Sequence, residues 1–389
     1  MHTLKKMISV LISLVIAVSC FFMYDVEPLM AANIETSAGS AILIDASSGK
    51  VLYEKDAHKR LAPASVTKLM TLLIAAEALE SGKVNLKDTV TASERACSMG
   101  GSQIYLEVGE KLSLEEMLIS IAVGSANDAC VAVAEHINGS LEEFVHQMNE
   151  KAKKLGLVDT NFINDNGLPA EGHYTSAYDL AIIAKESLKY PLISKLTSIK
   201  EYDLRGGKFK LYNTNKLLWW YEGTSGLKTG WTQEAKYCLA STVERNGLKL
   251  ICVVMAVPEV RGHFAESMKL YNYGFANYSY KKFAEAGSKQ GETTVQKGTA
   301  EKVDLIVDKA VGISIEKGKD KDYRMEISYD QTIHAPVVKG QKLGQMSIYN
   351  GDELQIEVDL VAKDDVAKSS LFGLMKKSLQ NTYDFGKAS

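Results

Sequence analysis

Residues 64–79 read ASVTKLMTLLIAAEAL, and the reading of this run governs that of the whole chain. It contains no Gly or Pro and is apolar around most of a helical circumference. A helix hydrophobic nearly all round belongs in the interior of a sizeable domain. At its start stand Ser65 and Lys68. Residues three apart are neighbours on one helix face, which puts the Lys68 amine within reach of the Ser65 hydroxyl. A serine hydroxyl is a weak nucleophile until a base takes its proton. A lysine carried into an apolar helix is penalised when charged, so its pKa falls and the neutral amine becomes available as that base. Backbone N–H groups at the helix N-terminus favour a developing oxyanion. Ser-x-x-Lys recurs at Ser47–Lys50, Ser225–Lys228, Ser279–Lys282 and Ser314–Lys317. Those copies read as turns or strands, and only the one at Ser65 joins the pair to a buried helix.

Upstream of this helix, residues 41–53, AILIDASSGKVLY, read as two strands around a Ser-Ser-Gly turn. Downstream, helical patterns cover Ser113–Ala122, Asp128–Ile137, Leu141–Leu155 and Ser176–Leu188, and strand patterns return at Tyr237–Val243 and Leu248–Val257. Strands at both ends with helices between predict an α/β (α+β) domain over 33–280, with one sheet whose edges come from distant segments. Asn246-Gly247 is a strong two-residue hairpin turn. It sets Leu248 opposite Arg245 and Cys252 opposite Ser241, and alternation then turns Cys238 to the other face. Of the four cysteines beyond residue 32, Cys238 and Cys252 are therefore not expected to bond to each other, and all four read as small buried hydrophobes.

Composition changes after residue 280. Residues 281–362 show short alternating runs such as VDLIV and LQIEVDLVA between Gly-containing turns, which predicts a small all-β domain. KGKDKDYR, at 317–324, reads as a solvated turn. Residues 363–389 form a tail. On a helical wheel Leu371, Phe372, Leu374, Met375, Leu379 and Tyr383 share one half, opposite Gly373, Lys376, Lys377, Gln380 and Asn381. The stretch is too short and too polar to span a bilayer. It suits an amphipathic interfacial helix, with a helix packed on the β-domain or a frayed tail as the alternatives. At the other end, Lys5 and Lys6 precede an apolar run over 7–23, and small residues follow at Ala31 and Ala32. That pattern predicts a secretory signal peptide over 1–32, with an uncleaved anchor as the alternative. The apolar run continues past Cys20, against lipidation there. A net charge of −3, with both signs mixed along the chain, lacks the basic stripe that nucleic acid requires. The seven histidines are scattered without a His-Glu-x-x-His pattern, so neither a metal nor another cofactor is expected.

Two further elements join Ser65-x-x-Lys68. Ser125-Ala126-Asn127 lies in a loop between two helical patterns, and Lys228-Thr229-Gly230 opens the second strand region. Ser-x-x-Lys, Ser-x-Asn and Lys-Thr-Gly in this order form the motif set of β-lactamases and penicillin-binding proteins. LAPASVTKLMT, GSANDACVAVAEH, DNGLPAEGHYTSAYDLA, TSGLKTGWT and AESMKLYNYGF extend the likeness. Over about 38–276 the chain resembles the low-molecular-weight penicillin-binding proteins that are D-alanyl-D-alanine carboxypeptidases, and the following β-domain and amphipathic tail resemble their membrane-attached members. Ala126 stands where many relatives have Gly.

The resemblance implies a penicillin-binding, β-lactamase-like domain and a serine peptidase acting on peptidoglycan stem peptides ending in D-Ala-D-Ala. β-Lactam antibiotics would be covalent inhibitors, and the outer face of the cell membrane would be met through the tail. Ser65 would be the acylated nucleophile, Lys68 its general base and Ser125 a proton relay to the leaving D-alanine. Asn127 would position Lys68 and the substrate amide. Lys228 would supply positive potential and the Thr229 hydroxyl would hold the carboxylate. Gly230 would let the substrate lie along the strand, and the amides of Ser65 and Trp231 would form the oxyanion hole. Many relatives place an Arg after the hairpin to bind the carboxylate. Pro258 takes that position here, with Arg261 nearby. Two rival readings make different demands. A class A β-lactamase needs a Glu followed by Leu-Asn for deacylation, whereas NFINDNGLPAEGHY offers only Glu171. A non-catalytic penicillin-binding sensor should lack one of Ser65, Lys68 or Lys228, and all three are present.

Overall fold

The computed structural model describes residues 34–373. The expected signal peptide over 1–32 and the part of the amphipathic tail from Leu374 onward lie outside the described residues.

The five-stranded sheet contains β1 (Ser40–Asp45), β2 (Val51–Lys55), β3 (Thr224–Thr232), β4 (Lys236–Arg245) and β5 (Leu248–Val257). Their order is β2-β1-β5-β4-β3, antiparallel throughout. The edges therefore come from opposite ends of the domain, as the pattern of the sequence requires. The β4–β5 hairpin has the expected register, with Arg245 opposite Leu248 and Ser241 opposite Cys252. Cys97, Cys130, Cys238 and Cys252 are all free thiols. Three are buried, but Cys97 is only half-buried, because its four-residue helix Glu94–Cys97 buries Ala96 instead.

α1 (Lys68–Glu80) runs through the core, continuing a 3-10 turn over Ala64–Thr67. Lys68–Ala76 and Ala78 are buried, so this helix meets solvent only in its last turn, through Glu77, Leu79 and Glu80. α2 (Asn127–Asn138) and α3 (Ala177–Ser187) pack on it, and α3 and α4 (Gly262–Asn277) cover β5. Leu250–Met255 of β5 is accordingly buried without alternation, the mark of a strand enclosed on both faces. Two short ribbons, Thr89–Thr91 with Lys111–Ser113 and Glu201–Leu204 with Phe209–Tyr212, have too few residues to show a period and were not legible in the sequence.

After α4 the chain enters the all-β domain at Tyr278–Ala284, which pairs with Val311–Glu316. A six-stranded sheet follows. Its pairing extends to the Gly298–Lys368 bridge, with Val366 buried against Val337. A buried carboxylate joins the two domains, since Asp45 Oδ2 accepts from Ser314 N (2.9 Å) and Ser314 Oγ (3.1 Å). Beyond Lys368, Leu371 and Phe372 are 83 % and 80 % exposed. No helix among the described residues is long and apolar enough to cross a membrane.

Candidate active site

Ser65 sits in the 3-10 turn and Lys68 begins α1. The Lys68 ammonium donates to Ser65 Oγ (3.0 Å), Asn127 Oδ1 (2.6 Å) and the Asn166 carbonyl (2.6 Å). Its side chain is fully buried. Burial lowers its pKa, opposed by Cys130, Asp165 and Asp128. Asn127 is oriented from its other end, where Nδ2 donates to Gly100 O at 2.6 Å; its oxygen is thereby left for Lys68.

Ser125 arrives by a local irregularity. The helical pattern expected over Ser113–Ala122 is α-helical only for Leu114–Ile119, then widens into a π-turn over Ser120–Gly124. Ser125 follows at φ 61°, ψ 30°, and its amide and that of Ala126 both return to Ser120 O. A π-turn ending in a left-handed non-glycine is a strained way to aim a hydroxyl, of the kind that clusters at functional sites.

Lys228-Thr229-Gly230 lies in the interior of β3 rather than opening a strand region. The segment TSGLKTGWT interleaves two glycines and a lysine with its threonines and tryptophan, so its strand depends on pairing with β4 as well as on propensity. Lys228 is fully buried and donates to Thr229 O at 3.0 Å. Burial, and next the positive charge of Lys68, bring its pKa down to about 7. Thr229 Oγ1 donates to Thr214 Oγ1 at 2.7 Å. A β-carbon on Gly230 would lie 2.9 Å from both Pro63 O and Ser65 N. Glycine is thus what allows this edge strand to close on the Ser65 turn.

The cleft over Ser65 has a volume of about 340 Å³, and Ser125, Thr229, Gly230, Trp231 and Arg261 also line it. Lys68, Asn127 and Lys228 stand buried behind its wall. Larger surface concavities occur elsewhere, one of about 770 Å³ around Tyr329, His334 and Gln345, but Ser65, the serine bonded to Lys68, lines none of them. Arg261 does reach the cleft, with its guanidinium 5.9 Å from the Trp220 ring centroid. Sequence reasoning missed Ser102, Thr214, Lys216, Tyr237, His263 and Phe264 in the lining. It also missed the turn over 164–167 that carries the Asn166 carbonyl. Asn164 Oδ1 accepts there from Asn166 N (3.3 Å) and Gly167 N (2.7 Å). The Asn-Asp-Asn-Gly composition was the available signal for that turn.

His173 braces the same turn. Its Nδ1 accepts from Ile163 N (3.0 Å), so the proton is assigned to Nε2, 2.9 Å from Thr67 Oγ1. Burial lowers its pKa to about 4, leaving a neutral ring at pH 7. Glu171, the one glutamate of this region, is exposed. Lys68 is met instead by a backbone carbonyl, which does not supply the arrangement a class A β-lactamase needs.

A serine and a buried lysine at the head of a core helix, enclosed by a Ser-x-Asn turn and a Lys-Thr-Gly edge strand, define a serine acyl-transfer enzyme of the penicillin-binding class. Residues 27–259 match the family described as D-alanyl-D-alanine carboxypeptidase, and residues 278–368 match the penicillin-binding protein 5 C-terminal domain. The chain belongs to this serine-type carboxypeptidase family. It is 44 % identical over 346 residues to D-alanyl-D-alanine carboxypeptidase DacF of Bacillus subtilis, covering 88 % of this chain and 89 % of that one. Penicillin binding protein 5 of Haemophilus influenzae is a structural neighbour, with TM-score 0.69, 34 % identity and coverage of 86 % and 99 %. A peptidoglycan synthesis regulatory factor (PBP3) of Streptococcus pneumoniae aligns with TM-score 0.74 at 27 % identity, covering 86 % and 100 %.

Proposed function

We propose that the protein removes the terminal D-alanine from peptidoglycan stem peptides ending in D-Ala-D-Ala through an acyl-enzyme on Ser65. The observation that carries this reading is the fully buried Lys68 with its Nζ 3.0 Å from Ser65 Oγ. Neutral Lys68 takes the hydroxyl proton as Ser65 Oγ attacks the penultimate carbonyl. The amides of Ser65 and Trp231 receive the oxyanion. Lys68 returns the proton through Ser125 to the departing D-alanine nitrogen, and water then hydrolyses the ester. The Thr229 hydroxyl holds the terminal carboxylate, Lys228 behind the wall supplies positive potential, and Arg261, across the same cleft, is available as a second cation. Asn127 fixes Lys68. A β-lactam presents a strained amide and a carboxylate in the same relation and acylates the same serine. Labelled penicillin is therefore expected at Ser65 by peptide mass spectrometry. An adduct elsewhere, or none on protein with Ser65 intact, would refute the mechanism.

The same reading places the protein outside the cytoplasm, exported by a signal peptide over 1–32 and held at the outer membrane face by the tail. Support comes from Leu371 and Phe372, which face solvent rather than the β-domain. Burying Leu371, Phe372, Leu374, Met375 and Leu379 at about 25 cal/mol per Å² would supply several kcal/mol, enough for peripheral and reversible attachment. Deleting 369–389 is expected to abolish binding of the mature protein to anionic liposomes while leaving hydrolysis of a small D-Ala-D-Ala peptide unchanged. Equal partitioning of truncated and intact protein would rule the anchor out.

A further inference from the structure

We propose that His263, in the first turn of α4, is a specificity-determining residue: its ring nitrogen and backbone amide bind the substrate's terminal carboxylate from the wall beside Thr229. The proposal rests on the reading of the cleft as the site for peptides ending in D-Ala-D-Ala.

α4 is a 16-residue helix that begins in the cleft wall. Arg261, its N-cap residue, and His263 and Phe264, in its first turn, all line the cleft. The first backbone N–H groups of a helix find no carbonyl within it, and they carry the positive end of its dipole. Here Gly262 N donates to Glu259 O (2.9 Å) and Phe264 N to Arg261 O (3.0 Å). The His263 amide between them bonds to no acceptor among the described residues, and the Arg261 side chain makes no capping bond.

The His263 side chain is a second, separate observation. It is only 5 % exposed. Its ring lies against Tyr237, with centroids 5.2 Å apart and planes within 6°, and against Phe264 at 3.9 Å. Neither ring nitrogen bonds to a protein group among the described residues. Nδ1 is wholly enclosed, whereas Nε2 is not, so Nε2 is the nitrogen this cleft-lining ring leaves accessible. Burial brings the pKa down to about 4, and the ring is neutral near pH 7. A buried polar group without a partner is costly, and a ligand that supplies the partner recovers that cost. With its proton on Nε2 the ring donates to an anion, and the enclosed Nδ1 keeps only a lone pair.

Charge and position identify the anion. The cleft lining includes two cations, Lys216 and Arg261, and no Asp or Glu. Thr229 and Trp231 lie on one face of β3, because side chains alternate. Trp231 is opposite Tyr237 on β4, and the His263 ring lies on Tyr237. His263 therefore stands on the sheet face that carries the Thr229 hydroxyl. A carboxylate offers about four acceptor sites, and Thr229 supplies one hydroxyl, which in the structure donates to Thr214. In the turn that leads to α4, Pro258 and Val260 have no side-chain donor and Glu259 is an acid. The donors on this wall are thus Arg261 and His263. Arg261 is exposed, while His263 is fixed by two rings. Hydrogen bonds to an ionised acceptor are about twice as strong as those between neutral groups, so a fixed donor here favours a free carboxylate over a neutral terminus.

The test compares two acyl donors, an acyl-D-Ala-D-Ala peptide and the phenyl ester of the same acyl-D-alanine. Both deliver one acyl group to Ser65, but only the peptide brings a carboxylate. His263→Phe keeps an aromatic ring on Tyr237 and removes both ring nitrogens. The ratio of kcat/KM for peptide to that for ester is expected to fall about tenfold or more, the scale of one hydrogen bond to a charged group. The fall should come mainly through KM of the peptide, as for an interaction present in both ground and transition states. His263→Gln, which offers a side-chain N–H near the position of Nε2, should recover most of the ratio. A merely structural role lowers both substrates together, so an unmoved ratio in folded His263→Phe protein overturns the proposal. Should that variant not fold, histidine-labelled Ser65→Ala protein decides, because His263 is the one histidine of the cleft lining. An imidazole N–H that moves downfield with the peptide, and less with its C-terminal carboxamide, supports the contact. No imidazole response to saturating peptide overturns it. Failure of the underlying reading has a separate signature, namely a parent protein that releases no D-alanine from the peptide.

Discussion

Lys68→Arg is expected to reduce the rate of Ser65 acylation by about 10³-fold, the scale of a lost general base, while the protein still unfolds cooperatively on heating. The acceptors that now hold the ammonium, Ser65 Oγ, Asn127 Oδ1 and the Asn166 carbonyl, can still receive N–H donors from a guanidinium. What the guanidinium cannot do is give up a proton near neutral pH. Burial costs that lower the Lys68 pKa therefore have no useful counterpart in Arg. Lys68→Ala, which removes both charge and base, should fall to a similar residual rate set by the remaining oxyanion donors. The measurement is the second-order rate constant for labelling by a fluorescent penicillin. An Arg variant that labels at close to the parental rate would show that another group is the base.

The second large effect is expected at Gly167, a residue with no polar side-chain chemistry. Its φ is +84°, and a β-carbon there would lie 1.8 Å from Ala64 O and 2.9 Å from Thr67 Oγ1. The overlap is with backbone of the nucleophile turn, where Ala64 itself already has φ 48°, so neither side can yield without moving Ser65. Gly167→Ala should cost roughly 3 kcal/mol or more of stability, the range of strained backbone and core overpacking. It should also slow acylation, because the Asn166 carbonyl would be pushed off Lys68. Gly109 supplies the control, at φ +80° with open space around its missing side chain. There alanine should cost only about 1 kcal/mol, the left-handed penalty alone, and leave acylation unchanged. Equal melting temperatures for the two variants would show that the packing of 164–167 on Ala64 does not hold the turn.

Much of the fold could be read along the chain because its signals are local. The Asn246-Gly247 turn dictates the register that pairs Ser241 with Cys252, since a two-residue hairpin leaves no freedom in which residues face each other. The apolar circumference of 69–79 required a buried helix, and the i to i+3 spacing brought Lys68 to Ser65 for the same geometric reason. Elsewhere the local signal was weak or misleading. β3 contains two glycines and reads poorly as a strand, yet it forms a complete edge because β4 supplies its hydrogen-bond partners. Residues 120–124 continue a helical apolar pattern, but the chain there widens into a π-turn, and periodicity alone does not distinguish the two.

The amino-acid sequence by itself determined the pairing of Ser65 with Lys68, the order of the three motifs and a mixed α/β fold followed by a β-domain. Each of these depends on residue type and on spacings within one element. Only the tertiary structure decided what surrounds the lysine. Its contacts with Asn127 and Asn166 span 59 and 98 residues, and the cleft residues Thr214, Tyr237 and His263 come from separate segments. Whether Lys68 keeps or releases its proton depends on how completely those segments exclude water. Desolvation is a sum over everything packed around a group, and that sum is not defined until the chain has folded.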